Sequence, residues 1–433
     1  MTRENLSIVI LSAGKGTRMK SQTPKVLHNI LGKPMLFHIV SEAQKLSSDI
    51  TLIVAHQSER VISTISEYFP NLKFIHQNQE FSGTGGALID FIPSGKKTLI
   101  LNGDMPLVTS AELDKLLQFD SDIVMTSAEL ENPTGYGRVV KNGDEVLKIV
   151  EEKDCSENEK LIKSVNAGVY LVDSDFLITT LPKLSNKNSQ NEYYLTDIIE
   201  IAKSENRSVF SASVSADSFK GINSKLDLAN AERIFLERVR NNLMLNGTTI
   251  HLPETVYIEP TVQFIGECEV EQNVTILGDT IIESSVIKAG SIIENSKIKN
   301  STIGVLAHIR PKSNISDSKI GNFVEVKQSE LNGVKAGHLA YLGNAKIGEN
   351  TNIGAGVITA NYDGKNKFQT NIGKNVFVGS DSQLIAPLDI PDNCMIGAGS
   401  TVPSNSKIPE GSLSLSRNPL KIVKRFFFKF YGK

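Results

Sequence analysis

The sequence predicts an α/β chain of two textures: an N-terminal domain with a mostly parallel sheet and a C-terminal parallel β-helix, joined by one long helix. Three observations predict it. As far as about Phe219, short apolar runs alternate with segments of helical spacing. From Asn223 to Leu245 the spacing is helical throughout. Beyond Gly247 apolar residues recur every six positions, a period that neither a helix nor a hairpin strand gives but that coils with three short faces do. The chain has 433 residues, room for two or three domains at roughly 150 residues each.

The apolar runs are Ser7 to Leu11, Ile50 to Val54, Thr98 to Leu101 and Asp122 to Met125. Strands of this kind, separated by helices, belong to a sheet covered on both faces. In the linking helix Leu226, Ala229, Ile234, Val239 and Leu243 approximate one face, and Asn246-Gly247 ends it because glycine takes the left-handed turn that follows a helix. The six-residue series runs Val256, Val262, Cys268, Val274, Thr280, Val286, Ile292 and Ile298, then again Ile372, Val378, Leu384, Ile390, Ile396 and Val402. Three faces at that spacing make eighteen residues per coil. The period breaks at Asn361 to Phe368, where 13 residues rather than 12 separate Thr359 from Ile372, and an insertion on a rigid solenoid is where function is expected. The resulting boundaries are 1–222, 223–247 and 248–433.

Composition excludes several classes of function. Lys and Arg number 46 against 48 Asp and Glu, a net charge of -2, so no global field draws nucleic acid or an anionic membrane, and nucleic acid is not an expected partner. Cys155, Cys268 and Cys394 are odd in number and widely spaced, which argues for buried thiols in a reducing compartment rather than disulfides or a CxxC metal site. The apolar run Ile8 to Leu11 is far short of a signal core or a membrane span, and a cytoplasmic protein is expected. Tryptophan is absent and aromatics make up 6%, too few for base-stacking platforms. The tail 422–433 mixes aromatics with cations. It fits a membrane-surface anchor or packing over the open end of the solenoid; the second is preferred, and no stable membrane anchoring is expected.

Directly after the first strand comes Leu11-Ser12-Ala13-Gly14-Lys15-Gly16-Thr17-Arg18-Met19, with Pro24-Lys25 downstream. It is neither a P-loop nor a complete dinucleotide fingerprint. A glycine-rich strand-to-helix turn still offers backbone N–H groups to phosphate, and Lys15, Arg18 and Lys25 add cations. The glycines alone fit an ordinary tight turn equally well. Thr98 to Asn102 ends in Gly103-Asp104, which sets a carboxylate at the carboxyl edge of the sheet, where open α/β folds bind ligands. An aspartate there can hold Mg²⁺ against a triphosphate.

The full string resembles the sugar-nucleotide pyrophosphorylase signature LxAGxGTRM with its downstream Pro-Lys. Further motifs follow in that family's order: Gln77, Gly83-Thr84-Gly85, Gly135-Tyr-Gly137-Arg138, Glu151, Asn166-Ala-Gly168 and Asn191-Glu-Tyr-Tyr-Leu-Thr-Asp197. The resemblance implies a Rossmann-like nucleotidyltransferase domain binding UTP through Leu11, Ser12, Ala13, Gly14, Lys15, Lys25, Gln77, Gly83, Thr84, Gly137, Glu151, Asn166 and Asn223. It implies Asp104 and Asn223 as the Mg²⁺ ligands. Lys25 and Arg18 are expected to act on the reacting phosphates, since in-line attack by a sugar-phosphate oxygen needs positioning and charge neutralisation rather than a nucleophilic side chain.

In the solenoid, Arg310-Pro311, Asn322 to Lys327, Lys335 to Gly343 and Asn352 to Gly356 carry polar groups where plain repeats need none. Together with Asn361-Tyr362-Asp363-Gly364 they resemble the acetyltransferase half of the bifunctional UDP-N-acetylglucosamine pyrophosphorylase/glucosamine-1-phosphate N-acetyltransferase family. That resemblance covers nearly the whole chain. It implies a left-handed helix of hexapeptide repeats, a homotrimer, acetyl-CoA at subunit boundaries and His338 as catalytic base. It further implies glucosamine 1-phosphate on Arg310, Lys327, Tyr341 and Asn352, and acetyl-CoA on Ala355, Asn361, Tyr362, Ser380, Ala398 and Arg417. The expected product of the two activities is N-acetylglucosamine 1-phosphate joined to UMP.

Several positions depart from the family pattern: Ser12 for Ala, Gly86 for His, Asn102 for Tyr, Ala167 for Thr or Ser, Asn191 for Gly and Ala360 for Cys. None removes a residue assigned to chemistry. Two other readings stay open on sequence alone: a pyrophosphorylase whose solenoid only assembles it, and a scaffold without turnover.

Overall fold

The structure, a computed structural model, describes residues 5–188, 190–417 and 422–426. The chain divides into two compact units, Met1–Phe235 and Leu236–Lys433.

In the first unit nine strands make one sheet: β1 (Leu6–Leu11), β2 (Ile50–Val54), β3 (Lys73–His76), β4 (Lys97–Asn102), β5 (Ile123–Glu129), β6 (Arg138–Asn142), β7 (Glu145–Val150), β8 (Ser164–Asp173) and β9 (Val209–Ser213), in the order β3-β2-β1-β4-β8-β5-β9-β7-β6. The predicted runs are its centre. Ile8 and Ile10 face one core cluster while Val9 faces another, which is why these strands read as unbroken apolar runs. The half β3-β2-β1-β4 is parallel. The other half is mixed, because β8 runs antiparallel to both β4 and β5. That strand carries a register shift between Asn166 and Tyr170, opened by Gly168 at φ 79°. The distortion turns Asn166 and Gly168 toward the ligand edge of the sheet, where both line a cavity.

The helix spans Lys225–Leu245. The Ser224 hydroxyl accepts from the Asp227 N–H at 3.1 Å while the Asp227 carboxylate accepts from the Ser224 N–H at 3.0 Å, a reciprocal cap. Gly247 at φ 96° closes the other end. The apolar stripe is less regular than the spacing suggested: Leu226 is 71% exposed. Ala231 is buried within the first unit, and Val239, Leu243 and Met244 pack on the core of the second.

The second unit consists of three parallel sheets of ten, nine and eight strands. Each coil contributes one strand to each sheet, consistent with a left-handed β-helix. One inward side chain per strand fills the interior: Ile287, Ile303, Ile320, Ala336 and Ile353 on the first sheet, Ile293, Ile309, Val326 and Leu342 on the second, and Ile298, Ile315, Leu331 and Ile347 on the third.

The second six-residue series, Ile372 to Val402, is buried throughout. The first slips. Ile292 is 38% exposed and its neighbour Ile293 fully buried, because from Ile282 onward several steps between inward residues take five residues instead of six, among them Ile282 to Ile287, Ile293 to Ile298 and Ile298 to Ile303. The coils there are correspondingly shorter than predicted, Ile287 pairing with Ile303 sixteen residues on, whereas Val378 pairs with Ile396 after eighteen.

Corners need a left-handed residue, and asparagine tolerates that conformation better than other non-glycine types. Asn273, Asn295, Asn350, Asn375 and Asn393 all stand at positive φ. Three of them form a ladder between coils, Asn350 to Asn375 at 3.4 Å and Asn375 to Asn393 at 3.0 Å. The insertion is longer than the count of 13 against 12 implied: Thr359 and Ile372 point inward on successive faces, so thirteen residues replace one six-residue step. The excursion closes on itself through the bridge between Tyr362 and Lys367 and the Phe368 N–H to Asn361 carbonyl bond of 2.8 Å.

Candidate functional sites

In the first unit two cavities open at the carboxyl edge of the sheet. One, of about 300 Å³, is lined by Leu11, Ser12, Ala13, Gly14, Lys25, Gln77, Gly83, Thr84 and Asp104, with Asn102 and Glu192. The other, of about 520 Å³, is lined by Asn166, Gly168, Tyr136, Lys220 and Asn223, again with Asn102 and Asp104. The two meet at Asn102 and Asp104. Lys25 stands at the junction, its ammonium 2.5 Å from Oδ2 of Asp104 and 3.2 Å from Oδ1 of Asn223. Two hard oxygen donors therefore converge on one cation, a donor type that divalent ions such as Mg²⁺ also prefer.

The glycines of the first loop divide by role. Gly16 sits at φ 61°, and a Cβ there would come 2.6 Å from Cβ of Lys25, so the loop needs glycine to lie against the lysine stem. Gly14 has ordinary φ and nothing within 4 Å of an added Cβ; the protein's own packing does not require its bareness, which leaves space for a ligand. We expect Gly16→Ala to lower stability by about 1–3 kcal/mol. Gly14→Ala should change stability by about 0.5 kcal/mol or less yet raise the KM for nucleotide, a contrast that thermal melts and steady-state kinetics check together.

Gly83-Thr84-Gly85 docks on the Asn191–Asp197 segment. The Gly85 N–H donates to the Tyr193 carbonyl at 2.8 Å and the Leu195 N–H to Thr84 Oγ1 at 3.1 Å. In the wall of the larger cavity, Asn166 donates its side-chain amide to the Tyr170 hydroxyl at 2.7 Å and its N–H to the Gly137 carbonyl at 2.9 Å. Burial pushes the Glu151 carboxyl above its usual range. Asp197 is pushed up to about 6 from 3.8, chiefly by burial, then by the charges of Glu200 and Glu151. A carboxyl whose folded pKa is raised favours folding below its unfolded value, and that stability is lost as the pH rises through the folded one. Asp197→Asn should therefore gain stability relative to the parent chain as the pH climbs from about 4 to about 6, which denaturant melts at several pH values would show.

On the second unit the candidate residues lie in columns, one rung per coil. Strand pairing aligns Ala336, Ile353, Val378, Ile396 and Ser414, so His338, Ala355, Ser380 and Ala398, each two residues further along, occupy successive rungs. Arg417 reaches back to donate to the Ala398 carbonyl at 3.3 Å. The glycines before Ala355, Ser380 and Ala398 are bare because the next coil leaves no room, a Cβ on Gly354 lying 2.6 Å from the Ser380 nitrogen, whereas an added Cβ on Gly337, before His338, would meet nothing within 4 Å. A second column runs along the second sheet, where Lys327 is level with Gly343 and Arg310 bonds backbone to backbone with Val326 at 2.8 Å. Arg310 pairs with Glu325 at 2.8 Å. The Arg310 guanidinium, then Lys367, hold the Lys327 ammonium below its usual range. Gly343 admits the ring of Tyr341, whose hydroxyl would lie 2.5 Å from an added Cβ. Asn352 stands apart on the first sheet, level with Lys335 and Phe377.

A family model of the MobA-like NTP transferase domain matches residues 8–157. The bifunctional protein GlmU of a Nitratiruptor species is 55% identical over 430 residues, covering 99% of this chain and 100% of its own. Its counterparts from a Sulfurovum species and from Wolinella succinogenes are 53% and 51% identical, each over 99% of both chains.

The chain belongs to the GlmU family. It is thus a bifunctional enzyme of UDP-N-acetylglucosamine synthesis for the cell envelope, an acetyltransferase and a nucleotidyltransferase of the type that works with a divalent metal.

Against the GlmU pattern, eight of the predicted nucleotide-site positions line the smaller cavity and Asn166 and Asn223 the larger. Gly137 and Glu151 lie just behind, an added Cβ on Gly137 falling 3.3 Å from Oε1 of Glu151. Lys15 and Arg18 are exposed and line neither cavity. His338 is exposed, Asn361 is 7% exposed with its amide donating to Asn344 Oδ1 at 2.6 Å, and Tyr362 is 60% exposed. Sequence reasoning missed Glu192, Tyr136 and Lys220 as cavity walls, and Lys367 beside Lys327. The cluster of Arg310 and Lys327 below an insertion that itself carries lysines was the signal for Lys367.

Three of the departures from the GlmU pattern have local accommodations. Asn191 takes φ 54°, a conformation that asparagine tolerates in place of glycine. Asn102 donates to the Gly168 carbonyl at 2.8 Å. Gly86 is buried against Phe81, whose Cβ would lie 3.0 Å from an added Cβ. The Ser12 hydroxyl is buried without a hydrogen-bond partner in the described structure. Among the described residues no helix is long and apolar enough to cross a membrane. Of the tail, Ile422, Val423 and Phe426 are exposed, and 427–433 lie outside the described residues.

Proposed function

We propose that residues 1–222 form the uridylyltransferase and residues 248–433 the acetyltransferase, linked by residues 223–247, in a cytoplasmic homotrimer. Acetyl transfer to glucosamine 1-phosphate comes first, and its product is then joined to UMP. In the first unit UTP occupies the smaller cavity, the loop amides of Ser12 to Gly14 and the Lys25 ammonium meeting its phosphates. The sugar phosphate occupies the larger one, with Asn166 and Glu151 toward the sugar. An oxygen of the sugar phosphate forms its bond to the α-phosphorus as the bond to pyrophosphate breaks, with Arg18 reaching in from the loop to the departing charge. Asp104 and Asn223 would hold Mg²⁺, which neutralises the phosphate charge between the two cavities.

In the second unit Arg310 and Lys327, with Lys367, grip the phosphate of glucosamine 1-phosphate, and Tyr341 orients the sugar. His338 takes a proton from the amine, the nitrogen bonds to the acetyl carbon, and the thiolate of CoA departs. The rungs supply a ruler for the donor. Strands in a sheet are about 4.8 Å apart, so the four steps from the His338 rung to the level of Arg417 span roughly 19 Å, the reach of an extended pantetheine arm with its phosphates at the arginine. Ala355, Ser380 and Ala398 flank that path, and Asn361 and Tyr362 stand at its side. Asn352 lies on a different sheet from the cation column, which favours a site completed by another copy of the chain.

The observation that carries this reading is the junction itself: two cavities sharing Asp104, with Lys25 and Asn223 converging there, on a chain alike to GlmU along its whole length. Separate half-reactions test it. The purified chain should release thiol from acetyl-CoA only with glucosamine 1-phosphate, and pyrophosphate from UTP only with N-acetylglucosamine 1-phosphate and Mg²⁺. Thiol release that ignores the amino sugar, or pyrophosphate release that ignores the sugar phosphate, would refute it. Light scattering at a mass other than three chains would refute the trimer.

A further inference from the structure

The Lys25 ammonium occupies the point on which Asp104 and Asn223 converge, 2.5 Å from one oxygen and 3.2 Å from the other. The contacts are largely shielded, the side chains of Lys25 and Asp104 being 12% and 19% exposed. A divalent ion held by these residues needs oxygens at about 2.0–2.1 Å, and an ammonium already bonded to them would repel it in so shielded a place.

We propose that Lys25 is a resident counter-cation, holding the Asp104–Asn223 oxygen pair until nucleotide arrives and then exchanging that pair for the triphosphate. The inference rests on the assignment of Asp104 and Asn223 as the metal's ligands and goes beyond it. Two further features support it. The lysine stem runs alongside Gly16, where a Cβ would come within 2.6–3.5 Å of its Cβ, Cγ and Cδ, and the ammonium lies beyond that contact. Lys25 lines the smaller cavity but not the larger, whereas Asn223 lines the larger but not the smaller. Released from the oxygens, the ammonium therefore moves into the cavity walled by Ser12 to Gly14, where a triphosphate offers it new partners. Metal and nucleotide affinities become coupled, each clearing the way for the other.

The test is direct titration of Mn²⁺ followed by its electron spin resonance, using the full chain with and without a non-hydrolysable UTP analogue. In the parent chain the analogue should tighten Mn²⁺ binding. Lys25→Met keeps the stem and removes the charge. It should tighten nucleotide-free Mn²⁺ binding by on the order of tenfold and shrink the effect of the analogue. Asp104→Asn placed on top of it should abolish the gain. If Lys25→Met binds Mn²⁺ no tighter than the parent while Asp104→Asn alone weakens binding with the analogue present, the exchange is refuted and the metal site survives. If Asp104→Asn alone has no effect, the metal assignment itself fails, and the exchange with it. Lys25→Gln repeats the measurement should the methionine variant not fold.

Discussion

Replacing His338 with alanine should lower acetyl transfer by roughly 10²- to 10⁴-fold and leave uridylyl transfer unchanged. The amine of the acceptor is an ammonium near neutral pH and cannot attack a thioester until it loses a proton. Imidazole is the side chain suited to take it, and no other histidine lies in the column from Ala355 to Ala398. His338 is exposed at the end of its strand, so its loss removes no core contact and the solenoid should keep its melting temperature. A variant that acetylates at the parental rate would remove His338 from the chemistry. One that loses both activities would show instead a defect in folding.

The complementary result is expected at the other end of the chain. Asp104→Asn should reduce uridylyl transfer by roughly 10²- to 10³-fold, the scale seen when one preorganised group that stabilises developing charge is lost, with acetyl transfer intact. Asparagine is the informative replacement. It retains an oxygen for Lys25, whereas alanine would strand a shielded ammonium at a cost of about 3–5 kcal/mol and confuse folding with chemistry. Raising the Mg²⁺ concentration should recover part of the activity, because Asn223 and the triphosphate still supply ligands. Full activity at low Mg²⁺ would show that the carboxylate charge is not used.

The architecture was readable because both periods have simple causes. Strands covered on two faces are apolar without interruption, as Val9 and Ile10 are, and a three-faced coil repeats an inward residue at each face. What blurred the second signal was the recurrence of five-residue steps from Ile282 onward, which breaks the six-residue phase; only the packed structure shows that of two adjacent isoleucines Ile293, not Ile292, turns inward. Motif spacing likewise located most of the first site without explaining it. Gly83-Thr84-Gly85 and Asn191 to Asp197 lie about a hundred residues apart, and their shared hydrogen bonds are what make them one wall. Glu192 was out of reach of spacing arguments, since a long-range loop contact decides its place. The antiparallel course of Ser164–Asp173 escaped for a related reason: a strand's residues report its burial, not its direction.

The central claim is that one chain performs both steps in sequence. Incubating it with glucosamine 1-phosphate, UTP, Mg²⁺ and acetyl-CoA labelled with carbon-13 in the acetyl group, followed by mass spectrometry of the nucleotide sugar, tests that claim most directly. The account predicts UDP-N-acetylglucosamine carrying the labelled acetyl group. Labelled N-acetylglucosamine 1-phosphate with no nucleotide sugar, or UDP-glucosamine without the label, would contradict it.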